Sequence, residues 1–163
     1  MVSWETIWCN MAAHGRVSSL ESHAGYWLRL VSNHVSHAFR LRVESHGVTV
    51  AEWVVMRTLL DSDGVNPSQL AESVGLTRGA VSKLIDRLSA KRFVACRSEK
   101  RDRRYQLVRL TASGRRLVPA LAAIADQNDQ EFFGHLEAQE RAGLIALLAR
   151  VADRRGFKAV PIE

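Results

Sequence analysis

Apolar residues recur at helical spacing along most of the chain and alternate with polar residues in only one short region. The helical spacing predicts helices over about 20–46, 50–60, 67–74, 78–91, 111–135 and 137–154. The alternation predicts two strands, 93–97 and 106–110, which the charged stretch between them joins as a hairpin loop. A further short helix is expected near the start, where one face would carry Trp4, Ile7, Trp8 and Met11. We therefore expect a mainly α-helical protein with a small β-hairpin.

Residues typical of helix ends support these boundaries. Thr and Asn side chains accept hydrogen bonds from free backbone N–H groups at the start of a helix, and glycine ends helices in a left-handed conformation. The predicted N-caps are Thr49, Asn66 before Pro67, Thr77 and Thr111, and the predicted ends include Gly47 and Gly75. Glu52 follows in the first turn after Thr49, where a negative charge is favourable.

Positive charge is concentrated in one segment of the sequence. Residues 78–116 contain thirteen Lys and Arg against three acidic residues, whereas the whole 163-residue chain has a formal net charge of +6. The remainder is therefore net acidic, and the basic segment favours a polyanionic partner. The length fits one compact domain, or one small domain with an added oligomerisation element, and 47% hydrophobic residues suffice for a core.

The segment LAESVGLTRGAVSKLI, residues 70–85, has the spacing of a helix-turn-helix. Ala71 is small where two helices must approach, and Gly75 lies at the turn between them. The second helix of this motif enters the major groove of DNA. The expected contacts on it are Thr77, Arg78, Gly79, Ser82 and Lys83 toward the groove, with Arg87 and also Ser68 of the first helix toward phosphate. The alternative is an ordinary helical hairpin in which the glycine is only a C-cap.

The charged stretch SEKRDRRYQLVRLT follows this motif directly. A basic loop between two strands in this place is typical of a wing, which lays arginines in the adjacent minor groove. We expect Arg101, Arg103 and Arg104 to contact DNA, and Asp102 to pair with Arg104 and hold the wing in one conformation. The alternatives are a solvated loop, or a localisation signal if the cell is eukaryotic.

These residues together resemble the MarR family of bacterial winged-helix regulators. DRRYQLVRLT matches the family signature D-x-R-x-x-x-x-x-L-T at Asp102, Arg104, Leu110 and Thr111, and the block before it is similar to the family's recognition helix. Arg92-Phe93 departs from the family, which usually has a glycine before the first strand. The resemblance spans roughly residues 22–155 and implies a sequence-specific regulator of double-stranded DNA, most simply a repressor at a pseudo-palindromic operator.

The resemblance also implies an intertwined homodimer formed by the first helix and the last two. Apolar residues of the flanking helices favour a partner surface independently, because a small winged domain cannot bury them. The expected division is an extension over 1–19, supporting helices over 20–60, the winged helix-turn-helix over 61–111 and dimerisation helices over 112–155. Candidate core or interface residues are Leu117, Leu121, Ile124 and Phe132, with Leu144, Leu147, Leu148 and Val151.

Two modes of regulation stay open. The resemblance implies that many relatives bind a small aromatic or phenolic effector, for which the candidate contacts here are Trp27, Leu30, His34, Trp53 and Met56. It also implies that some relatives sense oxidation with a cysteine near the N-terminus, which makes Cys9 the redox candidate. An alternative of another class is a winged-helix module whose basic face binds an acidic protein.

Other functional classes find little support in the sequence. Cys9 and Cys96 have neither CxxC nor Cys/His zinc spacing, and His34 and His37 share a helix face without an assured third ligand, so no metal or cofactor is expected. No catalytic triad order, nucleotide-binding glycine loop or closely paired carboxylates indicate an enzyme. No signal peptide or membrane span is expected, which favours the cytoplasm.

Overall fold

The computed structural model describes residues 17–99 and 102–157, and of residues 98–99 and 102–106 it describes the backbone alone. The helices in these residues are α1 (Ala24–Glu44), α2 (Val50–Leu60), α3 (Pro67–Val74), α4 (Arg78–Ala90), α5 (Ala112–Phe133) and α6 (Ala138–Arg155). Strands β1 (Val94–Glu99) and β2 (Asp102–Leu110) form an antiparallel hairpin between α4 and α5. The predicted fold class, mainly helical with one small hairpin, is confirmed. The short helix expected within 1–20 falls largely outside the described residues.

Both strands are longer than the sequence predicted. β1 continues past Arg97 to Glu99, and β2 begins at Asp102 rather than at Gln106. The prediction followed alternating apolar residues, but a two-stranded ribbon in water is held by backbone pairing and needs no apolar face at its tip. Arg103 and Arg104 therefore lie within β2 rather than in a loop, which corrects the predicted length of the wing loop.

The first long helix begins later than predicted, but the other helix starts are confirmed. A 3₁₀ turn over Leu20–Ser22 precedes α1, and His23 between them is extended, with φ −100° and ψ 122°. The helical hydrogen-bond ladder therefore starts at Ala24. Side-chain oxygens accept a backbone N–H at each predicted N-cap, namely Thr49, Asn66, Thr77 and Thr111. The glycines at 47 and 75 have positive φ values of 78° and 70°.

Packing divides the described residues into two compact units, with the boundary between residues 36 and 37. In the first, Trp27 donates its indole N–H to the carbonyl of Glu21 and meets Tyr26 edge-on, with ring centroids 5.2 Å apart. The second contains the hydrophobic core, whose fully buried members include Met56, Leu59, Leu70, Val81, Leu88, Val108, Val118 and Leu121. The division into three functional parts stays a prediction. Among the described residues, no helix is both long and apolar enough to cross a membrane.

A buried ion pair joins the start of α2 to the end of α4. Glu52 has no exposed surface, and its carboxylate accepts hydrogen bonds from the ammonium group of Lys91 at 2.7 and 2.9 Å. The same carboxylate accepts the backbone N–H of Thr49 at 2.8 Å, and the Thr49 hydroxyl accepts the N–H of Glu52 at 3.2 Å. This reciprocal pair is a capping box. Lys91 is the C-cap residue of α4, so one carboxylate fixes both helix ends.

A second polar network fixes the turn between α4 and β1. Arg92 has a φ of 60°, in the left-handed region that favours glycine. Arginine thus adopts the conformation expected of the glycine that the family usually has before this strand. The carbonyl of Arg92 accepts the hydroxyls of Thr111 and Ser113, both at 2.7 Å. Gly114 lies so close to this turn that an added Cβ would stand 2.1 Å from the carbonyl oxygen of Phe93.

One residue between α2 and α3 extends the hairpin. Val65 exchanges two backbone hydrogen bonds with Val108 of β2, at 3.0 and 2.9 Å. The sequence indicated only a turn before α3, because a single bridging residue has no alternation to detect. The base of the hairpin is therefore attached to the segment that leads into α3.

We expect Lys91→Met to lower the free energy of unfolding by about 1–3 kcal/mol, because the buried carboxylate of Glu52 loses its cationic partner. The lower part of the range allows for the exposed fraction of Lys91, which is 36% of its side chain. Urea unfolding at one fixed protein concentration measures the difference.

The matched control is Arg57→Met, which removes a cation from the exposed i,i+4 pair with Asp61. It is expected to cost about 0.5 kcal/mol or less. Equal losses in the two variants would show that burial of Glu52 adds nothing to the strength of its pair.

Candidate nucleic-acid interface

Helices α3 and α4 form the predicted helix-turn-helix. Gly75 ends α3 with a φ of 70°, and its backbone N–H and that of Leu76 both bond the carbonyl of Ala71. Ala71 is buried, as expected for a small residue where the helices meet. The inner face of α4 is apolar and buried through Val81, Leu84, Ile85 and Leu88. Burial of this face leaves the opposite side of α4 in solvent.

All of the predicted contact residues on α4 lie on that solvent side. Thr77, Arg78, Gly79, Ser82, Lys83 and Arg87 are exposed. The hydroxyl oxygen of Thr77 accepts the backbone N–H of Ala80 at 3.2 Å and so caps the start of α4. Among the side chains that the structure describes, none forms an ion pair or hydrogen bond with Arg78, Lys83 or Arg87. Their charges are available to an anionic partner.

The other predicted contacts occupy less uniform positions. Ser68 lies in the first turn of α3, is partly buried, and gives its backbone N–H to the Asn66 side chain at 2.9 Å. Asp102, Arg103 and Arg104 lie in β2, and the register sets Asp102 opposite Glu99. Their side chains and the whole of Arg101 are outside the described residues, so the Asp102–Arg104 pair and the arginine contacts stay predictions.

Several arginines elsewhere are occupied within the fold, in contrast to those of α4. The pairs are Arg40 with Glu44, Arg42 with Asn128 and Glu131, Arg57 with Asp61, and Arg141 with Asp129. Arg115 donates to the carbonyls of Leu60 and Ser62 at the end of α2, at 3.3 and 3.4 Å. These five arginines are therefore engaged within the fold, whereas Arg78, Lys83 and Arg87 of α4 face water.

The candidate effector contacts fall into two groups. Trp27, Leu30 and His34 are exposed residues of the first half of α1. Trp53 and Met56 belong to the hydrophobic core, and Met56 is completely buried. Residues 17–99 and 102–157 contain no group of three or more His, Cys, Asp or Glu that could hold a metal ion.

Cys96 is the cysteine that the structure describes, on the strand next to α4. Burial raises the pKa of its thiol, the nearby carboxylate of Asp86 raises it further, and a hydrogen bond with Ser89 acts in the opposite direction. The residue has exposed surface, but a raised pKa keeps its thiol protonated and poorly nucleophilic near neutral pH. Cys9, the redox candidate, lies outside the described residues.

Comparisons with known proteins agree on one family. The sequence model of the MarR family matches residues 46–104. The transcriptional regulator HosA of Escherichia coli O157:H7 is 28% identical over 117 residues, covering 72% of this chain and 87% of HosA. The solved structure of Bordetella bronchiseptica BpsR aligns with a TM-score of 0.73 and 28% identity, covering 84% of this chain and 98% of BpsR. These matches support a winged-helix regulator similar to the MarR family.

The likeness to this family bears on the exposed face of α4. MarR-family proteins are non-enzymatic, DNA-binding transcriptional regulators, and the matches support the same class for this chain. Another relative, the transcriptional repressor NicR of Pseudomonas putida, is 26% identical over 129 residues, covering 79% of this chain and 82% of NicR. The BpsR structure is described as showing regulation of DNA binding by 6-hydroxynicotinic acid.

The sequence interpretation missed residues that hold helices α2 and α4 together. Glu52 was expected only as a favourable charge in the first turn of α2, and Lys91 only as the end of α4. A Thr-x-x-Glu spacing was a readable signal for the capping box. The ion pair itself spans 39 positions of the sequence, and no local pattern predicts such a contact.

The pKa of Cys96 predicts slow alkylation in the folded protein. In a Cys9→Ser chain, the pH midpoint of iodoacetamide labelling should be higher for the folded protein than for the urea-unfolded one, because burial and Asp86 disfavour the thiolate. Asp86→Asn should lower the folded midpoint. Since the unfolded thiol ionises first, stability should also fall as pH rises above the ordinary thiol pKa. Identical labelling profiles for folded and unfolded chains would contradict this.

Proposed function

We propose that the chain is a homodimeric repressor that reads double-stranded DNA with α4 and the hairpin, and that a small aromatic effector releases it. The observation that carries the DNA contacts is the exposed outer face of α4. Arg78, Lys83 and Arg87 are cations without partners among the described side chains, and they stand on a helix whose opposite face is buried. Arg78, Ser82 and Lys83 would supply sequence readout, and Arg87 and Ser68 would contact phosphate.

The hairpin supports the same proposal through its position. β1 follows α4 after a single tight turn, and two polar networks hold that turn. A wing attached so firmly can present Arg101, Arg103 and Arg104 to the minor groove next to the helix, with Asp102 paired to Arg104 to hold the wing in one conformation. The register carries the ladder up to Glu99 and Asp102, close to these arginines.

Exposed apolar residues of α6 support a dimer. Ile145, Leu147, Leu148 and Val151 have between 42% and 59% of their surface exposed. Large apolar side chains gathered on one helix are unusual on a monomer and favour a second copy as the partner. A two-fold dimer would set two copies of α4 on a pseudo-palindromic site.

The descriptions of two similar proteins support the proposed repression and the proposed release by an effector. NicR is named a repressor, and the BpsR structure is described in terms of 6-hydroxynicotinic acid. In this chain the exposed candidates for an effector are Trp27, Leu30 and His34, which combine apolar surface with one polar ring. Trp53 and Met56 are core residues here, so they are not exposed candidates for an effector contact.

A charge-matched pair of variants tests the DNA contacts. Against a duplex enriched by the wild-type chain from a random 30-base-pair library, Arg104→Ala should weaken binding by about 10-fold and reduce the salt slope by about 1. Arg150→Ala removes the same charge from an exposed position of α6 and should leave both unchanged.

Lys83→Ala should instead change preference among duplexes, because base contacts carry sequence information. Sedimentation of the complex should show two chains on each duplex. Binding of Arg104→Ala at wild-type strength would overturn the wing assignment. Failure of the wild-type chain to enrich any duplex would favour the protein-interaction alternative.

Effector release is tested by titrating small aromatic acids, with 6-hydroxynicotinic acid first. Binding should change tryptophan fluorescence and release the enriched duplex, because the ligand must favour a state with lower DNA affinity. Trp27→Phe should remove most of the fluorescence change. If a panel of such acids changes neither fluorescence nor DNA affinity, the effector part of the proposal is wrong, while DNA binding stands.

A further inference from the structure

Gly79 is a glycine that the fold does not require. It is the second residue of α4, its backbone is ordinary right-handed helix, and an added Cβ would meet nothing within 4 Å. This distinguishes it from Gly75, whose φ of 70° favours glycine, and from Gly114, where a Cβ would stand 2.1 Å from a carbonyl oxygen. Packing and backbone geometry therefore leave the absence of a side chain at Gly79 unexplained.

Glycine in a helix carries a cost. It loses more backbone freedom on folding than alanine does, and it is the weakest helix former after proline. An alanine at residue 79 would fit the open space and favour α4. Gly25 of α1 and Gly143 of α6 are equally open, so it is the position of Gly79 on the outer face of α4 that suggests a constraint from outside the chain.

The neighbours of Gly79 indicate what that constraint is. Residues three and four positions apart share a helix face, so Gly79, Ser82 and Lys83 are adjacent on the outer side of α4, with Arg78 beside them. All four are exposed. The two smallest residues of this face therefore lie side by side between two long cationic ones.

We propose that Gly79 is the point of closest approach between α4 and the base edges in the major groove, and that DNA rather than the fold excludes a side chain there. The inference rests on the proposed function, in which the outer face of α4 reads DNA. A single added methyl group would hold the helix away from the bases and weaken the contacts of Arg78, Ser82 and Lys83 together. Gly79 is thus a specificity-determining residue that acts by having no side chain.

The chain contains a matched control for this single-atom change. Gly25 is the second residue of α1, as Gly79 is of α4, and a Cβ there also meets nothing within 4 Å. Gly79→Ala and Gly25→Ala should both melt at or above the wild-type temperature. Against the duplex enriched by the wild-type chain from a random 30-base-pair library, Gly79→Ala should bind about 10-fold or more weakly, the size of a lost base contact. Gly25→Ala should bind as wild type does.

Binding to a random-sequence duplex separates base edges from phosphates. Wild type and both variants should bind it equally, with equal salt slopes, because a steric effect at the bases spares phosphate contacts. Gly79→Ser, with a larger side chain, should lose more affinity for the enriched duplex than Gly79→Ala. Renewed selection with Gly79→Ala should enrich a different sequence.

Each other outcome overturns the inference. Wild-type affinity of Gly79→Ala for the enriched duplex would show that no close approach exists, and equal losses on enriched and random duplexes would place the contact at phosphate. A drop in melting temperature for Gly79→Ala alone would show that the fold requires this glycine. Weak binding of the enriched duplex by Gly25→Ala would show that any added methyl group near a helix start weakens DNA binding. If the wild-type chain enriches no duplex, the proposed function itself fails, which is distinct from all of these.

Discussion

The position of α4 against α2 depends on one buried carboxylate. Glu52 accepts hydrogen bonds from Lys91 at the end of α4 and from the backbone at the start of α2, with no exposed surface of its own. Charge in such a place is stable only while every acceptor is satisfied, so the two helix ends cannot separate without a large desolvation cost. The outer face of α4 has its orientation because the inner face packs on the core and its C-terminal end is held by this ion pair. The buried carboxylate of Glu52 therefore helps to orient the exposed, cationic face of α4.

Some cationic side chains of this protein have an acceptor within the fold, and others face water. Arg42 and Arg115 lie outside the helix-turn-helix and bond carboxylate, amide or carbonyl oxygens of neighbouring helices. Arg78, Lys83 and Arg87 make no such contact with any side chain that the structure describes. Net charge alone therefore says little about which cations are engaged within the fold. What separates these two sets of residues is whether the fold itself supplies an acceptor.

Helix caps and apolar periodicity in the sequence predicted most of the helices and strands, but they did not predict contacts between residues distant in the sequence. The caps at Thr49 and Thr77 were readable because capping depends on residues three positions apart. The tip of the hairpin was misjudged because alternation reports a buried face, and Arg104 lies in a part of the ribbon without one. The partnership of Glu52 with Lys91 depends on how three helices fold back on each other, which no window of sequence contains. The exposure of the candidate contact residues on α4 was predictable because the apolar period of this helix leaves its polar residues on the opposite face.

The close contact at Gly114 has a mechanical consequence. With no room for even a Cβ between α5 and the carbonyl of Phe93, the first turn of α5 and the start of β1 touch backbone to backbone. Backbone contacts of this kind do not yield by rotamer changes, so we expect a shift of one segment to displace the other. A tilt of α5 would carry the base of the hairpin with it, and the length of β2 would turn a small rotation at Gly114 into a larger displacement at the tip. The orientation of α5 would therefore set the position of the tip of the β1–β2 hairpin.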